Sequence, residues 1–331
     1  MSAHDSTPPE APLRVGVVGV GYLGRFHARI YADMPQVELV GVADIDLARA
    51  REVAERHGCA AYGDAAELLD RVDAVSIVVP TVHHAAVARP FLERGVHMLM
   101  EKPIAPTLAE AEDLVAAAER AGVIFQVGHL ERFNAGIMEL AARVRQPRFI
   151  EVHRLGEFVD RATDVDVVTD LMIHDIDIVL SLVGAPIRHI AADGIPVITD
   201  QVDIANARIE FANGAVANVT ASRVSNKKLR RIRVFGKERY YGLDYIEQKL
   251  EIVRAVPDEA GGKWPRITTE MLAITPHPPL DTELAHFVRA VRAGTPPLVD
   301  GRVGLEALRV ALAVKESIGR AAPTRPPGAD R

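Results

Sequence analysis

The sequence predicts an α/β domain, doubly wound on a parallel sheet, followed by an α+β domain built on a large, mainly antiparallel open sheet. Three observations predict it. From residue 13 to about residue 126, short apolar runs rich in β-branched residues alternate with longer amphipathic segments, the rhythm of βαβ units. Beyond Gly128, strand-like runs follow one another with few helical stretches between them. The 331 residues also exceed the ~100–200 of a single domain.

Taken in order, residues 1–12 are polar and proline-rich without an apolar core, and read as a disordered tail rather than a signal peptide. Residues 13–128 form the dinucleotide-binding domain, with strands expected at 15–20, 37–43, 74–79 and 97–100. These runs are apolar throughout rather than alternating, as helices on both faces of a sheet require. Residues 129–321 form the second domain, with strands at 148–158, 189–195, 205–211, 215–222, 229–235 and 250–255. Asn213-Gly214 joins two alternating strands, and that pair favours positive φ and a tight hairpin. Helices near 282–293 and 303–320 come late; they either cover one face of the sheet or return to the first domain. Residues 322–331 are a proline-rich flexible tail.

Composition excludes several function classes. A formal net charge of -6 with 25% charged and 48% hydrophobic residues offers no general attraction for nucleic acid or anionic membrane. No apolar run approaches the ~20 residues of a membrane span. Cys59 is the sole cysteine, so an intrachain disulfide and a thiolate metal cluster are both ruled out, and a reducing, cytoplasmic setting fits best. No histidine or acidic pair has a zinc-ligand context, so no metal is expected.

The strongest local signal is Gly19-Val20-Gly21-Tyr22-Leu23-Gly24, placed directly between the first strand and a helix. In this Rossmann fingerprint Gly19 permits the tight turn, Gly21 lets the backbone approach a pyrophosphate, and Gly24 allows close strand–helix packing, while the helix N-terminus offers its N–H groups to the phosphates. Asp44 follows twenty residues after Gly24, at the end of the second strand, where a carboxylate binds the adenosine ribose hydroxyls and repels a 2′-phosphate. With Ile45 beside it, NAD is favoured over NADP, although Arg49 and Arg51 lie close by. The bland alternative is a glycine turn and a helix-capping aspartate with no ligand.

At Met100-Glu101-Lys102-Pro103 the sequence resembles the Gfo/Idh/MocA oxidoreductases, a family that includes inositol and glucose–fructose oxidoreductases. The resemblance covers almost the whole chain. It is carried further by Pro80-Thr81-Val82-His83-His84, by Gly128-His129-Leu130-Glu131-Arg132-Phe133-Asn134 and by Asp170-Leu171-Met172-Ile173-His174-Asp175-Ile176-Asp177. It implies that Lys102 and His174 face the reacting carbon with Asp170 beside them. Tyr22, Leu23, Pro80, Thr81, His84 and Glu101 join the glycines and Asp44 around the cofactor, with Thr81, His84 and Glu101 bordering its nicotinamide half. His129, Arg132, Asn134 and Arg154 join Asp170 and His174 on the substrate. Phe149-Ile150-Glu151-Val152-His153-Arg154 and Asp164-Val165-Asp166-Val167-Val168 narrow the resemblance to bacterial relatives that oxidise the 3-hydroxyl of UDP-N-acetylglucosamine and feed an aminotransferase in lipid A precursor synthesis.

The residues support that chemistry directly. Oxidising a secondary alcohol requires a base within hydrogen-bond reach of the hydroxyl while hydride leaves for nicotinamide C4. His174 suits the task, since imidazole titrates near ~6.5 without retuning. Asp170, four residues earlier, shares a helical face with it and can orient the ring. Lys102 follows the fourth expected strand at the carboxyl edge of the sheet, where ligands of doubly wound domains bind, and can donate to the substrate oxygen or relay its proton. Both Lys102 and His174 stand as first proton acceptor. Asp177 reads as structural, and His83 and His129 as either substrate contacts or packed side chains.

Lys227, Lys228, Arg230, Arg231 and Arg233, spaced around Leu229, Ile232 and Val234, read first as a strand's solvent face. The narrower reading gives one or two of the arginines a substrate pyrophosphate. The function expected is therefore NAD-dependent oxidation of a sugar or nucleotide-sugar hydroxyl. An inositol or free-sugar dehydrogenase is the alternative enzyme, and an NAD-binding redox sensor without turnover the alternative class. The broad antiparallel sheet suits a homodimer or homotetramer.

Overall fold

A computed structural model describes residues 11–159, 165–258 and 263–321. The expected C-terminal tail, nearly all of the N-terminal one, and Asp164 lie outside the described residues. The chain divides into two compact units, one of Met1–Gly128 with Leu280–Arg302, the other of His129–Pro279 with Val303–Arg331.

The first unit runs β1 (Leu13–Val18), α1 (Gly24–Ala32), β2 (Val37–Ala43), α2 (Leu47–His57), β3 (Ala60–Tyr62), β4 (Ala74–Ile77), α3 (His84–Glu93), β5 (His97–Glu101), α4 (Leu108–Ala121) and β6 (Phe125–Gly128). Its six strands lie in the order β3-β2-β1-β4-β5-β6, all parallel. The order reverses between β1 and β4, which places the ligand crevice outside the carboxyl ends of these strands. Two strands were not anticipated: β3 has only three residues, and β6 is a four-residue run closing on glycine. Lys102 therefore follows the fifth strand, not the fourth. Strand β1 stops at Val18, so Gly19 and Val20 belong to the turn.

Capping explains the helix limits. Asp46 accepts from the Arg49 N–H to start α2, and Thr107 from the Glu110 N–H to start α4. Each helix ends at a glycine with φ 67°, Gly58 and Gly122, the left-handed cap that halts a helix. Helix α1 begins without a side-chain cap, leaving its first N–H groups to the glycine turn.

The second unit contains α5 (Ala135–Arg143), β7 (Phe149–Leu155), α6 (Ile173–Val183), β8 (Ile187–Ile195), β9 (Ile204–Phe211), β10 (Val216–Ser222), β11 (Leu229–Gly236), β12 (Arg239–Asp244), β13 (Lys249–Val256) and β14 (Arg266–Ala273). Helices α7 (Pro279–Ala293) and α8 (Gly301–Ala321) close the described chain. The eight strands lie in the order β14-β13-β12-β11-β7-β10-β9-β8. Every pair is antiparallel except β7 with β10. The hairpin at Asn213-Gly214 joins β9 to β10, but only Gly214 takes positive φ, at 81°. Helices α5 and α6 supply more helix than the run of strands predicted.

Alternation along β7 and β9 turns Ile150, Val152, Ala205, Ala207 and Ile209 into a core shared with Ile137 and Leu140 of α5, Ile173, Ile176 and Val179 of α6, and Val310, Ala311 and Val314 of α8. Helix α7 instead contributes Leu284, Phe287 and Val288 to the core of the first unit, against Val15, Val17 and Tyr31.

Candidate active site

In the first unit the three fingerprint glycines have three distinct surroundings. A Cβ on Gly19, whose φ is +84°, would meet the Val78 carbonyl oxygen at 2.4 Å. One on Gly24 would meet the Gly19 carbonyl oxygen at 1.8 Å, whereas one on Gly21 would meet nothing within 4 Å. Gly19 and Gly24 are thus demanded by the protein's own backbone, and Gly21 faces open space where a pyrophosphate can approach. Together with the uncapped N-terminus of α1, this is a fit for a dinucleotide. Tyr22 is 67% exposed beside it, edge-on to Phe26 and under the Arg25 guanidinium, and Leu23 is the N-cap position of α1.

Asp44, at the carboxyl end of β2, accepts from the Val20 N–H at 2.9 Å and from the Asp46 N–H at 2.9 Å, one on each oxygen. A carboxylate has about four acceptor sites, so both oxygens keep capacity for the ribose hydroxyls. Arg49 lies 3.4 Å from Asp44 and 3.1 Å from Asp46. Ile45 is fully exposed.

Beyond β4, Pro80 caps a single 3-10 turn through Thr81 and His83 that leads into α3. His84 was expected at the nicotinamide; the structure buries it completely. Its Nε2 lies 3.0 Å from the Val79 carbonyl and its Nδ1 3.3 Å from the Ile104 carbonyl. Burial pushes its pKa down, against those two carbonyls, so the ring is neutral, donates to one of the two carbonyls, and is packed inside rather than presented to a ligand. Glu101 and Lys102 sit where β5 ends, both part-buried, and the Lys102–Pro103 peptide is cis.

In the second unit, Asp170 lies on a π-helical turn, Val168–Met172, that runs directly into α6 at Ile173. A plain α-helix was expected. The wider turn still returns nearly to the same face over four residues, so Asp170 and His174 share a side. Such turns are frequent at functional positions. Asp166 starts the turn, accepting from the N–H groups of Val168 and Thr169, both at 3.0 Å, and from Lys315 of α8 at 2.8 Å. The His129 ring meets that of His174 edge-on, centroids 6.3 Å apart.

The same unit holds a buried ionic cluster. Arg154, 4% exposed, donates from Nε and Nη2 to the two oxygens of Asp175, at 2.7 and 2.9 Å, and from Nη1 to Glu131 at 2.8 Å. Burial opposes the charge, but Asp175 and Glu131 hold the guanidinium far above its usual range. Burial, then Asp175, likewise raises the Tyr245 phenol, whose hydroxyl reaches Asp175 at 3.4 Å. Arg154 was expected on the substrate; the structure buries it and turns all three of its nitrogens to Asp175 and Glu131. Asn134 was expected there too, but its side chain caps α5 through Gly136 and Ile137 and accepts from Gln248. Arg132 pairs with buried Asp177 at 3.2 Å, a structural aspartate.

The basic cluster divides by strand parity. Arg230 lies on the core side with Ile232 and Val234, cross-strand from Arg154, and shares Glu131 at 3.1 Å. Arg231 and Arg233 point to the other face, where Arg233 pairs with Glu151. A cavity of 1060 Å³ lined by Arg145, Arg148, Lys237 and Arg239 lies at the opposite ends of β7 and β11 from Arg154 and Arg230.

Residues 13–129 match the family model described as an oxidoreductase family with an NAD-binding Rossmann fold. Residues 136–241 match the GFO/IDH/MocA C-terminal domain. The chain belongs to the Gfo/Idh/MocA family. It is similar to UDP-N-acetylglucosamine 3-dehydrogenase from Acidithiobacillus ferrooxidans, 39% identical over 92% of this chain and 97% of that enzyme. The solved structure of that enzyme superposes with a TM-score of 0.87, covering 94% and 99% of the two chains at 38% identity. Myo-inositol 2-dehydrogenase from Thermotoga maritima is 27% identical over 92% of this chain and 96% of its own. As a Gfo/Idh/MocA oxidoreductase the protein is an NAD-binding dehydrogenase. Among the described residues no group of three or more His, Cys, Asp or Glu side chains is arranged to hold a metal, and no helix is long and apolar enough to cross a membrane.

Sequence reasoning missed Glu131 and Asp175 as the partners of Arg154, although both stand inside motifs it quoted. It also passed over His27, whose Nε2 lies 3.4 Å from Glu101. The signal for His27 was present: Gly24, His27, Ala28 and Tyr31 recur at helical spacing on the buried face of α1.

Proposed function

We propose that the protein oxidises the 3-hydroxyl of UDP-N-acetylglucosamine with NAD. The observation that supports this best is the end-to-end likeness, in sequence and in structure, to the Acidithiobacillus ferrooxidans enzyme of that name, against 27% for the inositol dehydrogenase. NAD supplies the hydride acceptor when bound. His174 takes the hydroxyl proton through its ring, oriented by Asp170 on the same side of the π-turn. Lys102 donates to the substrate oxygen as negative charge develops there, or accepts its proton first. His129, edge-on to His174, limits the ring's freedom to turn. Arg132 borders the substrate through the donors that Asp177 leaves available. The working setting is the cytoplasm, as a homodimer or homotetramer. The keto product passes to an aminotransferase in lipid A precursor synthesis.

The test is absorbance of reduced nicotinamide with purified protein, NAD and a carbonyl trap, comparing UDP-N-acetylglucosamine with N-acetylglucosamine and myo-inositol. NADH formed only with the nucleotide sugar, and reduced by roughly 10²–10⁴-fold in His174→Ala and Lys102→Met, supports the reading. Turnover of inositol alone moves the assignment to the cyclitol relatives. Tight NAD binding with no turnover on any substrate leaves the sensor reading.

A further inference from the structure

A buried polar chain runs through the first unit from α1 to the end of β5. The Tyr31 hydroxyl lies 2.8 Å from Ser76 Oγ, which lies 3.2 Å from His27 Nδ1. His27 Nε2 lies 3.4 Å from Glu101 Oε1. Tyr31, His27 and Ser76 are fully buried, while the Glu101 side chain is 13% exposed. Glu101 pairs in register with Gly128 of β6, where a Cβ would come to 3.0 Å from its carboxylate. The carboxylate therefore lies across the one β6 position that has no side chain.

The donors and acceptors in this chain fit an arrangement in which Glu101 accepts. Burial raises the Tyr31 pKa far above its ordinary value, so the phenol stays protonated and is able to donate to Ser76. With the Ser76 hydroxyl donating to Nδ1 of His27, the ring proton sits on Nε2 and faces Glu101. Reversing every bond would require a protonated Glu101. His27 is also one turn into α1, the helix whose N-terminus meets the cofactor pyrophosphate, so it ties Glu101 to the glycine turn. The sheet order sets Asp44, at the end of β2, and Glu101, at the end of β5, on opposite sides of the β1/β4 switch point. With adenosine at Asp44, Glu101 belongs to the nicotinamide half.

We propose that His27 is a positioning residue whose Nε2–H holds the Glu101 carboxylate at the nicotinamide half of the cofactor site, making the site favour the cationic ring of NAD+ over neutral NADH. The inference rests on assigning Glu101 to that half and is independent of the substrate. Its test is the ratio of dissociation constants, NADH to NAD+, measured by NADH fluorescence and by competition in the absence of substrate. Glu101→Gln lowers the ratio roughly three- to tenfold, the scale of one partly screened charge a few ångströms away. His27→Leu lowers it similarly, and the double variant no further. His27→Gln, which keeps an amide donor near Nε2, retains the ratio, whereas His27→Asn, which reaches only toward Ser76, does not. Additive effects, or a ratio moved by Glu101→Gln and untouched by His27→Leu, overturn the positioning role. A ratio unmoved by Glu101→Gln overturns the placement of Glu101 itself. If His27→Leu does not fold, Ser76→Ala serves in its place: it frees the tautomer and shifts the ratio in the same direction, and no shift overturns the proposal.

Discussion

In the first unit, buried polar groups meet mainly backbone or uncharged partners: Asp44 two backbone N–H groups, His84 backbone carbonyls, His27 and Tyr31 the Ser76 hydroxyl. In the second unit three arginines are held by buried carboxylates: Arg154 by Asp175 and Glu131, Arg223 by Asp203 at 2.8 Å, Arg132 by Asp177. The difference follows from the sheets. A parallel sheet covered on both faces brings its functional groups to strand ends, where turns supply free backbone groups. The second unit builds its site on a helix face and neighbouring strands, far apart in sequence, so side chains must secure side chains. Such clusters stabilise weakly as a whole but fail badly when one partner is removed.

The largest expected effect tests that failure. Arg154→Leu leaves Asp175 and Glu131 buried without their main partner and should cost roughly 3–5 kcal/mol, measured by denaturant unfolding followed by circular dichroism. A loss within experimental scatter of zero would mean the cluster is not ionic in the sense described. In the first unit the matching contrast lies within the glycine turn. Gly24→Ala should lower the melting temperature and abolish NAD binding, because the Cβ meets backbone. Gly21→Ala should leave the melting temperature unchanged and weaken only NAD. Equal thermal losses in both would sink the division of roles.

Two smaller effects separate the units by pH. Burial alone would raise the Asp203 pKa, but the N–H groups of Thr199, Ile198 and Val197 and the Arg223 guanidinium hold it well below the carboxylate range. Its contribution is therefore present above the unfolded value of about 3.9 and is lost as pH falls below it. Asp203→Asn should flatten that acid limb of the stability curve. His84, depressed by burial, is neutral when folded but protonates in the unfolded chain near about 6.5. Stability should decline as pH falls below that value, and His84→Gln should remove this shallow slope. Persistence of either slope in its variant would assign the titration elsewhere.

The same contrast decides how much was legible. Gly19, Gly21, Gly24 and Asp44 are local, a strand, turn, helix and acid in fixed order that the structure reproduces, and the α/β and mainly antiparallel architectures followed from periodicity. Strands β3 and β6 were too short to show a period, and β14, open on both sides, has no alternation to read. Arg154 and Asn134 were recognised as important but placed on the ligand. What each does depends on partners in distant segments, such as Asp175 and Gln248, that local spacing cannot reveal. His27 was readable, but a histidine on an apolar stripe looks like packing until Ser76 and Glu101 are seen to meet it.

Strand β7 joins the second sheet from outside its neighbours' local order. The strands β8 to β10 and β11 to β14 are two meanders, each pairing sequential neighbours and each able to form early. Only β7, which precedes both, lies between them, parallel to one and antiparallel to the other. Completing the sheet therefore waits on a contact of long sequence separation, with its larger loop-closure entropy. On the ribosome the order is favourable: β7 emerges first, with both edges open, and each meander is laid against it as it is made.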